Sequence, residues 1–484
     1  MSLRLRLPKF PGGVWLAAGG AVGILLAAAP RYGFHRDELY FVVAGRRLDW
    51  GYVDQPPLTP LLARVSELVA GTTPFALRIL PALAVGTIGL LTAAIARRIG
   101  GGHVAQIFAA FSGSWTGVVL GEGHLLSTAI FDYMFWVVAL WILTRLLDDG
   151  DPRWWLGFGL TIGIGMQNKH TIGFFAVAAV IGVLASSRRR VLAGPLPWIG
   201  AGLALVIAAP NLIWQAANEW PQLDMAEALR ARSDGPVAFV LLQPLLLSIT
   251  LAVPAAIGWW RLARSAQLRR WRTFALVYGI LFVGFLATAG KAYYVAPMYP
   301  ALLAAGALWF EGLELRGRRV MAGAAATGIV IGMFIALPLL PRDRLVLDAT
   351  GELGETVGWR TLVAQVAAIH DSLPTNQQNN VAVITGNYGE AGAIDVLGPD
   401  LGLPPAVSGH NNYWLWGPPG PHGTIIAVGP LQGLMDAVCP TFVVATHISN
   451  PWDVDNEENG YPILLCREPS RQLRDVWDDV RHYN

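Results

Sequence analysis

The segment 79–98, ILPALAVGTIGLLTAAIARR, decides the fold class, because uncharged residues fill it up to Arg97 and Arg98. A helix that crosses the apolar part of a bilayer needs about 20 such residues. Of the 484 residues in the chain, 54% are AVILMFWYC and only 14% are charged, whereas soluble domains carry about 25% charged residues. The mean hydropathy is +0.46. These values exclude an ordinary soluble protein and a disordered chain, and they predict a polytopic α-helical membrane protein.

The same criterion predicts eleven membrane spans, which share long apolar runs and few charges: 12–30, 78–96, 103–120, 125–144, 154–167, 171–187, 196–213, 237–260, 273–290, 298–312 and 320–340. We interpret 12–30 as a retained first span rather than a cleaved signal, since no small-residue cleavage site follows it clearly. The segment 154–167 is short, so 154–187 is either two spans or one broken helix.

The positions of the basic residues predict the orientation of the spans. One alternating set of short loops holds roughly half of the 35 Lys and Arg residues, and the positive-inside rule assigns that set to the cytoplasm. The first loop, 31–77, and everything after 340 then lie on the outer face. The sequence therefore predicts a multi-pass protein of the cytoplasmic (inner) membrane with its C-terminal part outside.

The composition changes at residue 341, and this change predicts two domains. Residues 1–340 would form the transmembrane domain, and 341–484 a soluble extracytoplasmic α/β domain. Four short strands are expected in the second domain, at Val381–Thr385, Thr424–Val428, Phe442–Thr446 and Ile463–Cys466. It also holds the two cysteines, Cys439 and Cys466, for which a disulfide and two buried thiols are equally good interpretations.

Several function classes find no support in the sequence. No basic run with interleaved aromatic residues indicates nucleic-acid binding, and neither a Walker loop nor a GxSxG turn occurs. No ligand spacing matches a structural zinc motif. A divalent metal is the one cofactor left open, because oxygen and nitrogen ligands are available from His35, Glu122, His124 and His170.

The first outer loop carries an adjacent acidic pair, Asp37 and Glu38, followed by Asp54. Neighbours on a helix point about 100° apart, so the pair does not form one chelating unit. We expect one carboxylate to enter a cavity and the other to support the loop. The alternative is a solvated pair at a helix start, where carboxylates favour the helix dipole.

A lone acid, Asp132, follows inside an apolar span. An ionisable side chain at that depth faces a cavity or a partner helix rather than lipid. The sequence leaves a functional carboxylate and a buried, paired one equally open.

The other outer loops also carry polar and aromatic residues: Glu122, His124, Lys169, His170, Trp214, Gln215, Lys291 and Tyr294. Lys169 and Lys291 lie at span ends, where snorkelling is the simple explanation, although the positive-inside rule disfavours lysine on this face. A carboxylate can take the proton of a hydroxyl, and lysines can bind a phosphate leaving group. Both kinds of residue are expected in one pocket at the headgroup level, which indicates group transfer from a lipid-linked phosphate.

These residues resemble bacterial GT-C glycosyltransferases that depend on polyprenol phosphate, related to the protein O-mannosyltransferases of family 39 and to the aminoarabinose transferase of lipid A. The likeness is carried by Asp37-Glu38, 51–58 (GYVDQPPL), 123–124, Asp132, 168–170 (NKH), 210–215 (PNLIWQ), 291–297 (KAYYVAP), 386–391 (GNYGEA) and 408–414 (SGHNNYW). It covers most of the chain.

The resemblance implies a GT-C bundle that moves a sugar from a polyprenyl-phosphate donor to an acceptor hydroxyl on a protein, lipid or glycan, with inversion. It implies that Asp37 is the general base, that Glu38 is its neighbour in the catalytic set, and that Asp132 is the second acid. Donor phosphate would meet Lys169, Lys291 and Tyr294. The residues left for substrate binding are Asp54, Glu122, His124, His170, Trp214 and Gln215. Two positions depart from the family pattern, Gln55 where His is frequent and Phe131 where Pro is common.

The alternative function is a transporter or flippase of lipid-linked sugars. Charge pairs at the bilayer midplane and discontinuous helices would favour it. Here the notable charges cluster near one face, so the transferase is the better interpretation.

Overall fold

The computed structural model describes residues 10–148, 150–233, 235–341 and 351–483, and these divide into two compact units. The first unit takes its residues from 1–29, 78–216 and 230–337. The second takes them from 30–77, 217–229 and 338–484. The loop 31–77 therefore packs in the same unit as the C-terminal part of the chain, which the sequence did not reveal.

The α-helices of the described residues are α1 Gly12–Ala28, α2 Arg36–Arg46, α3 Leu58–Ala70, α4 Pro74–Arg98, α5 His103–Ser114, α6 Gly117–Gly123, α7 Thr128–Asp148, α8 Trp154–Met166, α9 Thr171–Leu184, α10 Leu196–Ala217, α11 Pro221–Ala231, α12 Gly235–Leu246, α13 Ala252–Arg264, α14 Arg272–Ala287, α15 Tyr299–Gly312, α16 Leu315–Ala336, α17 Trp359–Asp371, α18 Thr375–Gln378, α19 Tyr388–Leu397, α20 Asn412–Leu415 and α21 Gln432–Val438. Short 3-10 helices cover Arg189–Leu192, Arg269–Trp271, Ala292–Met298, Gly354–Thr356, Pro399–Leu401 and Leu473–Val480.

The first unit is a helical bundle. Among the described residues, five helices are long and apolar enough to cross a membrane, or six if the pair α5 and α6, bent by 53°, is one span. Each predicted span meets a helical segment, but the count of eleven is not confirmed. Helices such as α8, with 13 residues, and α9, with 14, are too short at about 1.5 Å per residue. Residues 167–170 separate the two helices, so 154–187 is interrupted in the structure, which is compatible with both predicted forms.

The predicted single span 237–260 is wrong, because the structure breaks it between α12 and α13. Ser248 and Ile249 both have positive φ, 51° and 58°, which a continuous right-handed helix does not allow. The break is held by its neighbours. Gly117 donates its N–H to the Ser248 hydroxyl at 2.8 Å, and a Cβ on Gly328 would lie 2.3 Å from the Ser248 carbonyl oxygen. These tertiary contacts leave no local signal in the sequence.

Glycines let helices α13 and α15 approach each other closely. A Cβ at Gly258 would lie 1.9 Å from the Leu302 carbonyl oxygen, and one at Gly306 would lie 2.1 Å from that of Pro254. Small residues at helix interfaces allow this backbone contact in membrane proteins.

We expect Gly306→Ala to destabilise the bundle by about 1–3 kcal/mol, because the added methyl group must push the two helices apart. Thermal unfolding of the detergent-solubilised protein measures this. The control is Gly279→Ala in α14, where a Cβ meets nothing within 4 Å. This variant should be as stable as wild type or slightly more stable, since alanine favours a helix. Equal melting midpoints for the two variants would contradict the close-packing explanation.

The second unit contains a five-stranded sheet. Its strands are β1 Val381–Thr385, β2 Ala406–Ser408, β3 Thr424–Val428, β4 Phe442–His447 and β5 Pro462–Cys466. They lie in the order β2-β1-β3-β5-β4, with β1 parallel to β2 and β3, and β5 antiparallel to β3 and β4. The four predicted strands are present within one residue at each end. The sequence missed β2, because three residues are too few for a periodic pattern.

The two cysteines form a disulfide bond. Cys439 follows α21, and Cys466 ends β5, with Cα atoms 6.2 Å apart. Both residues are buried in the core of the sheet domain. This decides between the two alternatives that the sequence left open.

Helix α2 packs against α19 through a glycine. A Cβ on Gly392 would lie 3.0 Å from the Leu39 Cβ and 3.2 Å from the Tyr40 nitrogen, so only glycine gives this separation. Helix α3 lies against α2 in the same way, since a Cβ on Gly45 would be 2.6 Å from the Pro60 carbonyl oxygen. The second unit therefore holds the start of α2, with its acidic pair, against the helix that follows β1.

Candidate functional site

The acidic pair lies in the first turn of α2, and its two carboxylates have different partners. Glu38 is completely buried and accepts the backbone N–H of His35 at 2.9 Å, while the His35 ring accepts the N–H of Asp37. This capping box satisfies backbone donors that a helix start leaves unpaired. Glu38 therefore supports the loop, and Asp37 is the carboxylate that stays available.

Asp37 is held by a tyrosine from the distant C-terminal part of the chain. Tyr388 donates its hydroxyl proton to Asp37 Oδ1 at 2.8 Å, and the Arg36 guanidinium lies over the Tyr388 ring, 4.9 Å from its centroid. Burial, and then the Asp37 charge, raise the pKa of Tyr388, so that the phenol keeps its proton. The Asp37 side chain remains 35% exposed. One oxygen is thus fixed, and the carboxylate can still reach a ligand.

Asp54 lies next to this pair and accepts a hydrogen bond from a cluster of aromatic side chains. Tyr40 donates its hydroxyl proton to Asp54 at 2.9 Å, and the Tyr40 ring contacts Tyr388 with centroids 4.9 Å apart. Further rings of this cluster belong to Tyr413 and Trp416. Burial raises the pKa of Asp54 to about 7, and the nearby charge of Asp37 adds to this effect.

The raised pKa predicts a pH dependence of stability. Because burial opposes ionisation of Asp54, folding should lose stability as the pH rises from about 4, the unfolded pKa, to about 7. Asp54→Asn should therefore be more stable than wild type by up to about 4 kcal/mol at pH 8.5, since each pKa unit corresponds to about 1.4 kcal/mol, with the difference vanishing near pH 4. Thermal midpoints measured across this range test it. A difference that does not change with pH would contradict the assignment.

In the first unit, Asp132 lies on α7 and is almost completely buried. One of its oxygens accepts the indole N–H of Trp136 at 3.0 Å, and the other accepts the hydroxyl of Thr171 on α9 at 2.7 Å. The expected contact with a neighbouring helix is therefore present. Lys169 interacts electrostatically with the same carboxylate.

Lys169 lies in the short connection between α8 and α9. Its ammonium group is 5.1 Å from the ring centroids of both Tyr293 and Tyr294, the distance of a cation–π contact. Lys291 immediately precedes the 3-10 helix Ala292–Met298, which contains both tyrosines. The three residues expected to meet donor phosphate are thus on two neighbouring segments.

Three of the other predicted substrate residues of this unit have polar partners. His124 Nδ1 lies 2.7 Å from the Gly121 carbonyl oxygen, and Glu122 accepts the Ser127 hydroxyl. His170 Nε2 lies 2.8 Å from Asn211 Oδ1. Gln215 is completely buried at the end of α10, and Trp214 precedes it.

The expected metal ligands do not form a cluster in the described part of the chain. Instead, the group of acidic side chains close enough to hold an ion there comprises Glu355, Glu457 and Glu458. All three lie in the second unit, in segments to which the sequence assigned no role.

Sequence reasoning also missed Tyr388. The residue lies in GNYGEA, 386–391, a stretch that carries the family resemblance. Asn387 caps α19, because its side chain accepts the N–H of Glu390 at 2.9 Å. The Asn-x-x-Glu capping signature is readable in the sequence and would have placed Tyr388 at the first position of a helix.

The comparisons with known proteins agree with this architecture. A family model described as dolichyl-phosphate-mannose-protein mannosyltransferase matches residues 54–214. A polyprenol-phosphate-mannose–protein mannosyltransferase of Corynebacterium glutamicum is 27% identical over 225 residues, which are 39% of this chain and 42% of that protein. The chain thus matches less than half the length of this relative.

Solved structures match over nearly the whole chain. ArnT of Cupriavidus metallidurans bound to undecaprenyl phosphate superposes with a TM-score of 0.65 at 16% identity, covering 94% of this chain and 98% of ArnT. The apo form gives a TM-score of 0.62 at 16% identity with the same coverage of both chains. The resemblance to GT-C glycosyltransferases that the sequence predicts is therefore confirmed, and this chain has the fold of that superfamily.

Proposed function

We propose that this protein is a membrane glycosyltransferase that moves a sugar from a polyprenyl-phosphate donor to an acceptor hydroxyl, with inversion at the anomeric carbon. The observation that carries the proposal is the partly exposed Asp37 carboxylate, fixed through one oxygen by Tyr388 at 2.8 Å. The relatives support the donor class, since one is named for polyprenol-phosphate-mannose and another binds undecaprenyl phosphate.

In the proposed reaction, the acceptor oxygen attacks the anomeric carbon and its proton moves to Asp37. The bond between that carbon and the phosphate oxygen breaks, and its electrons leave with polyprenyl phosphate. A base must be within hydrogen-bond reach of the proton that it removes. The Tyr388 contact supports this role, because it occupies Oδ1 and fixes the direction of the second oxygen, Oδ2.

Lys169, Lys291 and Tyr294 are proposed to bind the donor phosphate. A lysine ammonium stabilises charge that develops on a leaving group, provided that it is held in place beforehand. The rings of Tyr293 and Tyr294 hold Lys169 in this way. We assign Asp132, the second acid, to positioning, because both its oxygens accept hydrogen bonds and its charge acts on Lys169.

The remaining candidates are proposed to contact substrate. Asp54 lies beside Asp37 and its partner Tyr388, and we propose that it contacts the acceptor. The first unit supplies the others: Glu122, His124, His170, Trp214 and Gln215. Glu38 acts indirectly, by holding the first turn of α2 in place.

We place the reaction on the outer face of the cytoplasmic membrane, with the C-terminal sheet domain outside. The distribution of lysine and arginine supports this orientation, and the disulfide bond supports an oxidising compartment for the domain. The names of the relatives favour a transferase over the flippase alternative.

Comparative mass spectrometry of cells with and without the protein tests the proposal. In the deletion strain, the acceptor should lose a mass increment of one sugar, whether it is an envelope protein, a lipid or a glycan. Expression of the full chain should restore this increment. Identical glycan, lipid and protein profiles in both strains would contradict a transferase function.

A further inference from the structure

Three glutamates of the second unit converge although they come from distant parts of the chain. Glu355 lies in the 3-10 helix Gly354–Thr356, and Glu457 and Glu458 lie in the connection between β4 and β5. One carboxylate oxygen from each lies within 4.8 Å of the others. Two segments separated by a hundred residues thus bring three carboxyl groups together.

Two basic side chains face this group, Arg36 and His35, and His35 interacts electrostatically with Glu355. The Arg36 guanidinium pairs with Glu457 and lies 3.6 Å from Glu355. A fourth carboxylate, that of the fully buried Glu390, interacts electrostatically with Glu458. The four carboxyl groups outnumber the basic side chains that face them, and close like charges are unfavourable without a counter-ion.

A second observation points to a missing ligand. Glu458 is only 2% exposed. Its Oε1 accepts the Asn387 amide at 3.3 Å, but its buried Oε2 has no hydrogen-bond donor among the described residues. Buried polar atoms are nearly always satisfied, and each exception needs an explanation.

The geometry and the chemistry fit a hard cation. Calcium binds oxygen ligands at about 2.3–2.6 Å, so two ligands on opposite sides of one ion lie about 5 Å apart, close to the span of these oxygens. The donor set holds no cysteine or histidine, which disfavours zinc. A small pocket lined by Glu458, Asn456 and Asn459 borders the group.

We infer that Glu355, Glu457 and Glu458 bind a divalent cation of the calcium class, which fastens the segment 354–356 to the connection between β4 and β5. Flexible carboxylate sites suit calcium better than magnesium, which keeps most of its waters. The ion would stabilise the second unit and does not depend on the proposed transferase chemistry.

Terbium luminescence tests the site directly, because Tb³⁺ replaces Ca²⁺ and is excited by a nearby tryptophan. Trp359 is next to the site, since its indole N–H is bonded to the Glu355 carbonyl oxygen at 2.9 Å. The full chain in detergent should show saturable emission that Ca²⁺ displaces, and Ca²⁺ should raise the melting midpoint. Trp359→Phe should lose most of the sensitised emission but keep the thermal effect of Ca²⁺.

Glu457→Gln and Glu458→Gln should weaken Tb³⁺ binding at least tenfold and abolish the thermal effect of Ca²⁺. The Glu457 side chain is 44% exposed, so its neutral variant should fold even if the Glu458 variant does not. The control is Glu468→Gln, an exposed glutamate of the same unit, which should behave like wild type. Absence of saturable emission in wild type, or wild-type binding by Glu457→Gln, would overturn the inference.

Discussion

Asp37→Asn should lower sugar transfer by about 10²–10⁴-fold, the range over which general bases contribute to rate. The amide has nearly the same shape as the carboxylate and can still accept the Tyr388 hydroxyl proton, so the fold should persist. The loss should therefore fall on kcat rather than on the KM of the donor. Initial rates with a polyprenyl-phosphate sugar and purified protein measure both constants.

The matched control for this variant is Asp49→Asn, because Asp49 is an exposed aspartate in the same loop. It should retain the wild-type rate. Undiminished transfer by Asp37→Asn would remove this residue from the mechanism, whereas equal losses in both variants would indicate a general effect on the loop.

The second large effect is expected at Lys169. Lys169→Met should reduce kcat/KM by about 100-fold, because the phosphate leaving group loses a preorganised positive charge. Lys169→Arg keeps the charge and can still lie over the rings of Tyr293 and Tyr294, so it should recover much of the activity. The same steady-state assay, with the donor concentration varied, measures the difference.

The arginine variant also separates this proposal from a purely structural role of Lys169. If Lys169→Met lowers the melting midpoint but leaves kcat/KM unchanged in the folded fraction, the residue does not bind the phosphate. Equal activity of the Met and Arg variants would contradict a role for the positive charge.

The sequence predicted the strands and the apolar helices well, because both depend on local periodicity. It did not predict the break at Ser248 and Ile249, which is held by Gly117 and Gly328 from other helices. It predicted eleven spans, whereas five or six helices of the described residues are long enough to cross a membrane, because hydropathy detects apolar segments but not where a helix ends.

In the candidate site, too, local features were predictable from the sequence, whereas contacts between distant segments were not. The spacing of Asp37 and Glu38 correctly indicated that the two carboxylates point in different directions, and they have different partners in the structure. The partner of Asp37 could not be derived, because Tyr388 lies 351 residues further along the chain. The group of Glu355, Glu457 and Glu458 was invisible for the same reason, since only tertiary structure brings these segments together.

Chemical analysis of the lipid donor tests the central claim most directly. Purified protein in vesicles is supplied with a polyprenyl-phosphate sugar and an envelope extract as acceptor, and the lipids are then separated by chromatography. The account predicts that free polyprenyl phosphate forms in step with glycosylated acceptor. A donor that crosses the bilayer but keeps its sugar would contradict it and would identify a flippase.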